Sequence, residues 1–70
     1  MKMLKINGKE KQFPEDNLPK NLIELLDLMD INQATVVAEI DGVIVERKNF
    51  AETEISPDQS IELVRFVGGG

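Results

Sequence analysis

Cysteine and histidine are both missing from these 70 residues. Without cysteine there is no disulfide to staple a small fold, no thiolate nucleophile and no cysteine-based zinc site. Without histidine the usual general base near neutral pH and the commonest metal ligand are gone. No serine–histidine or cysteine–histidine arrangement can be built, which argues against an autonomous hydrolase or transferase. Long apolar runs are missing too. No window approaches the length of a membrane span, and the first residues lack a signal-peptide core, so the expected location is the cytoplasm. Positive charge is scarce, with 8 basic against 13 acidic residues and a formal net charge of −5. Nucleic-acid binding needs a cationic stripe that displaces counterions from phosphates. Lys2, Lys5, Lys9 and Lys11 are too sparse for that and read as a solvated strand face. An acidic surface is instead steered toward a basic partner.

What is present is one small domain with little core to spare, since a chain near 60 residues buries only about 60% of its unfolded surface. Nothing repeats. In Met1–Asn7, Leu4 and Ile6 alternate with Met3, Lys5 and Asn7, the period of a half-buried strand. Asn7-Gly8 is a strong hairpin signal, because a type I′ turn needs positive φ at both central residues. A second strand is predicted from about Lys9 to Phe13, closed by Pro14. Asn21 to Met29 reads as a helix. Asn21 and Glu24 fit a capping box, and Leu22, Leu25, Leu26 and Met29 fall on one apolar face. Asp30 to Asn32 should end it. Thr35–Ile40 reads as a third strand, Asp41-Gly42 as a second type I′ turn and Val43–Glu46 as a fourth strand. Lys48–Glu54 reads as irregular, anchored by Phe50. Ser56-Pro57-Asp58 reads as a turn, and Ile61–Val67 as the last strand. Strands with one segregated helix predict an α+β fold, a mixed sheet of four to five strands packed on that helix.

Three of the five glycines stand together at the end, as Gly68, Gly69 and Gly70. Such a segment has no side chains to pack, but it can thread a slot too narrow for any Cβ. Its α-carboxylate, with an ordinary pKa of about 3.3–3.7, is ionised at neutral pH. The functional reading is that this carboxylate is the reactive group and residues 1–67 are its handle. Frayed tails and cut linkers also end in glycine. In the last strand, Ile61 and Leu63 point inward on the alternation, which leaves Val64 and Phe66 outward beside the tail. An exposed apolar patch next to a reactive end is a partner footprint. The plainer alternative has Phe66 folding back onto the sheet edge.

The order strand, strand, helix, three strands, with glycines leaving the last, is similar to the ubiquitin-like β-grasp fold. More narrowly, the chain resembles the ThiS family of thiamine-biosynthesis sulfur carriers over nearly its whole length. The resemblance is carried by Asn7-Gly8-Lys9, by Asn21-Leu22-Ile23-Glu24-Leu25-Leu26 and by Val36-Val37-Ala38-Glu39-Ile40-Asp41-Gly42. It continues in Phe50-Ala51-Glu52-Thr53 and Phe66-Val67-Gly68-Gly69-Gly70. Two positions depart: Phe50 stands where the family usually has a larger Trp, and Asp30 where Gly often ends the helix.

The resemblance implies a carrier and co-substrate rather than an enzyme, with no catalytic residue of its own, no metal and no bound cofactor. A ThiF-like adenylating enzyme would use ATP to activate Gly70. A persulfide sulfur donor would then leave a thiocarboxylate there, and a ThiG-like thiazole synthase would take the sulfur into the thiazole ring of thiamine. Gly68 and Gly69 would thread the tail into those sites, while Val64, Phe66 and Val67 would dock partners. Residues 68–70 are expected to be a flexible tail. Three other readings share these features. They are a MoaD-like carrier for molybdopterin synthesis, a ubiquitin-like modifier joined to lysines, and an interaction domain whose tail is irrelevant.

Overall fold

The computed structural model describes residues 1–66. The expectations for Val67, Gly68, Gly69 and Gly70 lie outside the described residues. Among the described residues five strands form a single mixed sheet, with one α-helix across one face. The strands are β1 (Lys2–Ile6), β2 (Lys9–Phe13), β3 (Val36–Ile40), β4 (Val43–Val45) and β5 (Ser60–Arg65), and the helix is α1 (Leu22–Leu28). The spatial order is β2-β1-β5-β3-β4. β5 runs parallel to β1 and antiparallel to β3, so the last strand in sequence is the middle strand of the sheet.

The two hairpins form where the chain supplies turn residues. Asn7 and Gly8 take φ of 52° and 81°, and Asp41 and Gly42 take 51° and 85°. Positive φ at both central positions matches the right-handed twist of the flanking strands. β1 buries Leu4 and Ile6, as its alternation predicts. β2 buries only Phe13; its four other residues are polar and exposed. Charge along an outer strand discourages pairing with a stray chain.

The helix spans only seven residues, well short of the roughly 12–15 an isolated helix needs in water, so packing holds it together. Leu22, Leu25 and Leu26 are buried against the sheet, each worth roughly 1.5–3 kcal/mol of apolar transfer. Both ends are closed. The backbone N–H of Glu24 donates to Asn21 Oδ1 at 2.9 Å. The return bond expected of a capping box goes one residue further back, with Lys20 N–H donating to Glu24 Oε1 at 2.9 Å. At the other end Ile31 N–H donates to the Leu26 carbonyl at 2.9 Å and Asp30 N–H to that of Asp27 at 3.1 Å. This is a Schellman closure, and Asp30 holds the left-handed position usually given to glycine, at φ 58°.

Three expectations about the chain between strands are corrected. Thr35 does not begin the third strand. It closes a 3₁₀ turn, Gln33–Thr35, because Asn32 captures the local donors: its Oδ1 accepts from Ala34 N–H at 2.8 Å and its carbonyl from Thr35 Oγ1 at 2.8 Å. A six-residue 3₁₀ helix, Arg47–Glu52, runs through most of the segment read as irregular over 48–54 and winds around the buried Phe50. Its exit clips the helix start, with Leu22 N–H donating to Thr53 O at 3.1 Å and Ile55 N–H to Lys20 O at 3.0 Å. Finally β4 stops at Val45 and β5 at Arg65, each short of its predicted bound. The volume-reduced aromatic at position 50 is accommodated, since Phe50 is almost wholly enclosed.

Candidate functional site: the exit of the central strand

The strand that leads toward the C-terminus is held from both sides. On the β3 side, Val36 to Ile40 pair with Arg65 to Ile61 in antiparallel register. The Phe66 N–H extends this side by donating to the Thr35 carbonyl at 3.1 Å. On the β1 side the register is short, with Lys5 opposite Ser60 and Ile6 opposite Ile61. There one turn residue lends its side chain: Asn7 Oδ1 accepts from Leu63 N–H at 2.7 Å. On the β3 side the turn residue Asp41 does the same at the start of the strand, its Oδ1 accepting from Ser60 N–H at 2.9 Å.

Alternation along β5 divides its residues between two environments. Ile61 and Leu63 are 0% and 7% exposed, whereas Val64 and Phe66 are 55% and 51% exposed. Both outward residues expected at the docking surface are therefore in the open, and Phe66 does not fold back into the core. The third, Val67, lies outside the described residues, as do Gly68, Gly69 and Gly70. Arg65 is exposed on the phase of the inward residues, where the strand runs past the core.

Cross-strand register adds residues that the sequence did not single out. Val37 stands opposite Val64 on the outward face and is itself exposed. The next row reads Glu62, Glu39 and Ile44 across β5, β3 and β4. An apolar row near the tail is thus bordered by two carboxylates, with Ile44 beyond them. Neither Glu39 nor Glu62 takes part in an ion pair among the described residues. Like charges placed opposite each other weaken a sheet, so this face is not optimised for the isolated fold. Alternation in Val36-Val37-Ala38-Glu39-Ile40 does assign Val37 to the outer face. Only the pairing with β5 sets it beside Val64.

One carboxyl, that of Glu15, is shifted from its ordinary value. A hydrogen bond and the charge of the N-terminal ammonium, 3.0 Å away, lower its carboxyl below the ordinary value. Among the described residues no three potential metal ligands gather, and no helix is long and apolar enough to cross a membrane.

A model of the ThiS protein family matches residues 4–70. The chain belongs to the ThiS family. It is similar to the sulfur carrier protein ThiS of Bacillus subtilis (strain 168), with 31% identity over 97% of this chain and 100% of that one. It is 37% identical to an uncharacterized protein, ycf40, of Trieres chinensis, over 93% of this chain and 85% of the relative. Among solved structures it superposes on the crystal structure of the thiamine biosynthesis protein ThiS from Geobacter metallireducens. The TM-score is 0.79 at 33% identity, covering 97% of this chain and 99% of the other. The solution structure of the Geobacter metallireducens thiamine biosynthesis protein gives 0.75 at 33% identity, over 100% of this chain and 88% of that one. The five-strand sheet on one helix is thus the β-grasp arrangement of ThiS proteins, and the exposed row Val37, Val64 and Phe66 is a feature of this ThiS-family surface.

Proposed function

We propose that the chain is a sulfur carrier for thiamine synthesis whose working group is the carboxylate of Gly70. A carboxylate is a poor electrophile, because its charge repels nucleophiles and oxide is a bad leaving group. Activation must come first. A ThiF-like enzyme binds the carrier through Val64, Phe66 and Val67, and the tail enters its active site through Gly68 and Gly69. One carboxylate oxygen of Gly70 attacks the α-phosphate of ATP, and pyrophosphate leaves. The terminal sulfur of a persulfide donor then attacks the acyl carbon and expels AMP. A second thiol cleaves the resulting acyl disulfide, leaving a thiocarboxylate on Gly70. A ThiG-like thiazole synthase consumes that sulfur as the thiazole ring forms. The chain contributes no catalytic side chain and acts as co-substrate.

The observation that carries this reading is the pairing of ThiS family membership with an exposed apolar row on the central strand. That row stands on the strand that leads into the glycines. The absence of cysteine fits as well, since the sulfur rides on the terminus and not on a side chain. The match to the Bacillus carrier over that relative's whole length favours thiamine synthesis over molybdopterin synthesis.

The test is the intact mass of the full chain after incubation with a ThiF-like enzyme, ATP and a persulfide source. One terminal oxygen exchanged for sulfur, followed by loss of that sulfur to thiazole synthase, is expected. A chain that stays unmodified, or ends in an isopeptide bond to lysine, overturns the reading.

A further inference from the structure

We propose that Asn7 is a positioning residue for the carrier's terminus, fixing where the sheet ends and the tail begins. This rests on the carrier reading above. A type I′ turn asks for positive φ, which glycine also supplies. Asn7 supplies something glycine lacks, an acceptor that reaches across the sheet. Its own N–H donates to the Ile61 carbonyl at 2.8 Å, the last backbone bond of the β1–β5 ladder. The backbone then turns away at φ 52°. Its Oδ1 takes over where the carbonyl of a continuing strand would have stood, accepting from Leu63 N–H at 2.7 Å across 56 positions of sequence.

Without that bond, β5 from Leu63 onward is held by β3 alone and by the Phe66–Thr35 bond. A strand end held on one side opens at a lower free energy than one held on both. Opening there swings Val64 and Phe66 out of register with the rest of the docking row. The apparent affinity of a partner falls with the fraction of molecules in the competent arrangement. Asp41 makes the matching contact at the other end of the strand, through Ser60 N–H at 2.9 Å. It steadies the entry of β5 and has no lever on the exit, which makes it the internal control.

Three variants of the full chain test this: Asn7→Gly, Asn7→Asp and Asp41→Gly. Both glycine variants keep a turn-compatible residue and delete one acceptor. Amide exchange followed by NMR and steady-state pyrophosphate release by a ThiF-like enzyme are the readouts. Asn7→Gly is expected to speed exchange at Leu63 and Phe66 about five- to tenfold, the factor set by losing one net hydrogen bond. It should raise KM about twofold or more, with kcat unchanged. Asn7→Asp, which keeps the acceptor and tolerates the left-handed conformation, should restore both. Asp41→Gly should leave exchange at Leu63 and Phe66 and the KM at wild-type values relative to its own global stability. Equal acceleration at Leu63 and Phe66 in both glycine variants, or an unchanged KM in Asn7→Gly, overturns the proposal. If no adenylating enzyme accepts the wild-type chain, the carrier reading fails, and the exchange data alone decide whether Asn7 holds the strand exit.

Discussion

The two faces of β5 carry similar side chains and have opposite fates. Ile61 and Leu63 face the helix and are enclosed, while Val64 and Phe66, no less apolar, stand half in water. The inner pair is accounted for by folding alone, since a domain this small needs every inward residue to build a core. The outer pair adds less to the isolated fold, and on the proposed function it is the part a partner would cover. One strand thus carries both a face that builds the core and a face open to solvent.

Substitutions on each face sharpen that contrast. The largest effect is expected inside. Ile61→Ala should cost roughly 3–4 kcal/mol, a large part of what a domain of this size has, because the buried site cannot collapse around the loss. Urea denaturation reads this directly, and a shift under about 1 kcal/mol would mean that the inner face is more forgiving than its burial implies. The outer face should behave in the reverse way. Phe66→Ala is expected to move stability by less than about 0.5 kcal/mol. Yet it should raise KM for a ThiF-like enzyme about 30-fold, the size of one interface hot spot of about 2 kcal/mol. An unchanged KM would separate exposure from docking. The smallest effect belongs to neither face. Glu15 is stabilised as a carboxylate by the N-terminal ammonium, so its pKa is lower folded than unfolded. Its contribution is present above the unfolded pKa and disappears as pH falls through the folded one. The melting difference between wild type and Glu15→Gln should therefore be slight near neutrality, given how exposed the pair is, and vanish in acid. A difference that grows on acidification would reverse the sign of this argument.

Local chemistry made much of the fold legible. Asn7-Gly8 and Asp41-Gly42 announce both hairpins, and Leu22, Leu25 and Leu26 announce the buried face of the helix. Asn21 announces its start, because each of these signals acts within a few residues. What escaped was set by distant neighbours or by competition among local bonds. Thr35 looks like a strand residue, but Asn32 claims its donors first. The 3₁₀ winding of Arg47–Glu52 follows from the need to bury Phe50 beneath a short connection, which no periodicity records. At the candidate site, alternation was enough to send Val64 and Phe66 outward. The partnership of Val64 with Val37, and the acidic row of Glu62 and Glu39, depend on the register between β3 and β5. Sequence separation hides such pairings. The contact from Asn7 to Leu63 was hidden for the same reason, since Asn7 already had a sufficient explanation as a turn residue.

The placement of β5 between two neighbours has a mechanical consequence. On the proposed carrier function, an enzyme that draws the chain's end into a narrow active site would pull along the axis of this strand. A strand at the margin could be peeled from the sheet one bond at a time. β5 is flanked by β1 on one side and β3 on the other, so a tug is borne in shear, by bonds that must give way together. On that function the domain would be hauled by its tip repeatedly and keep its shape between one delivery and the next.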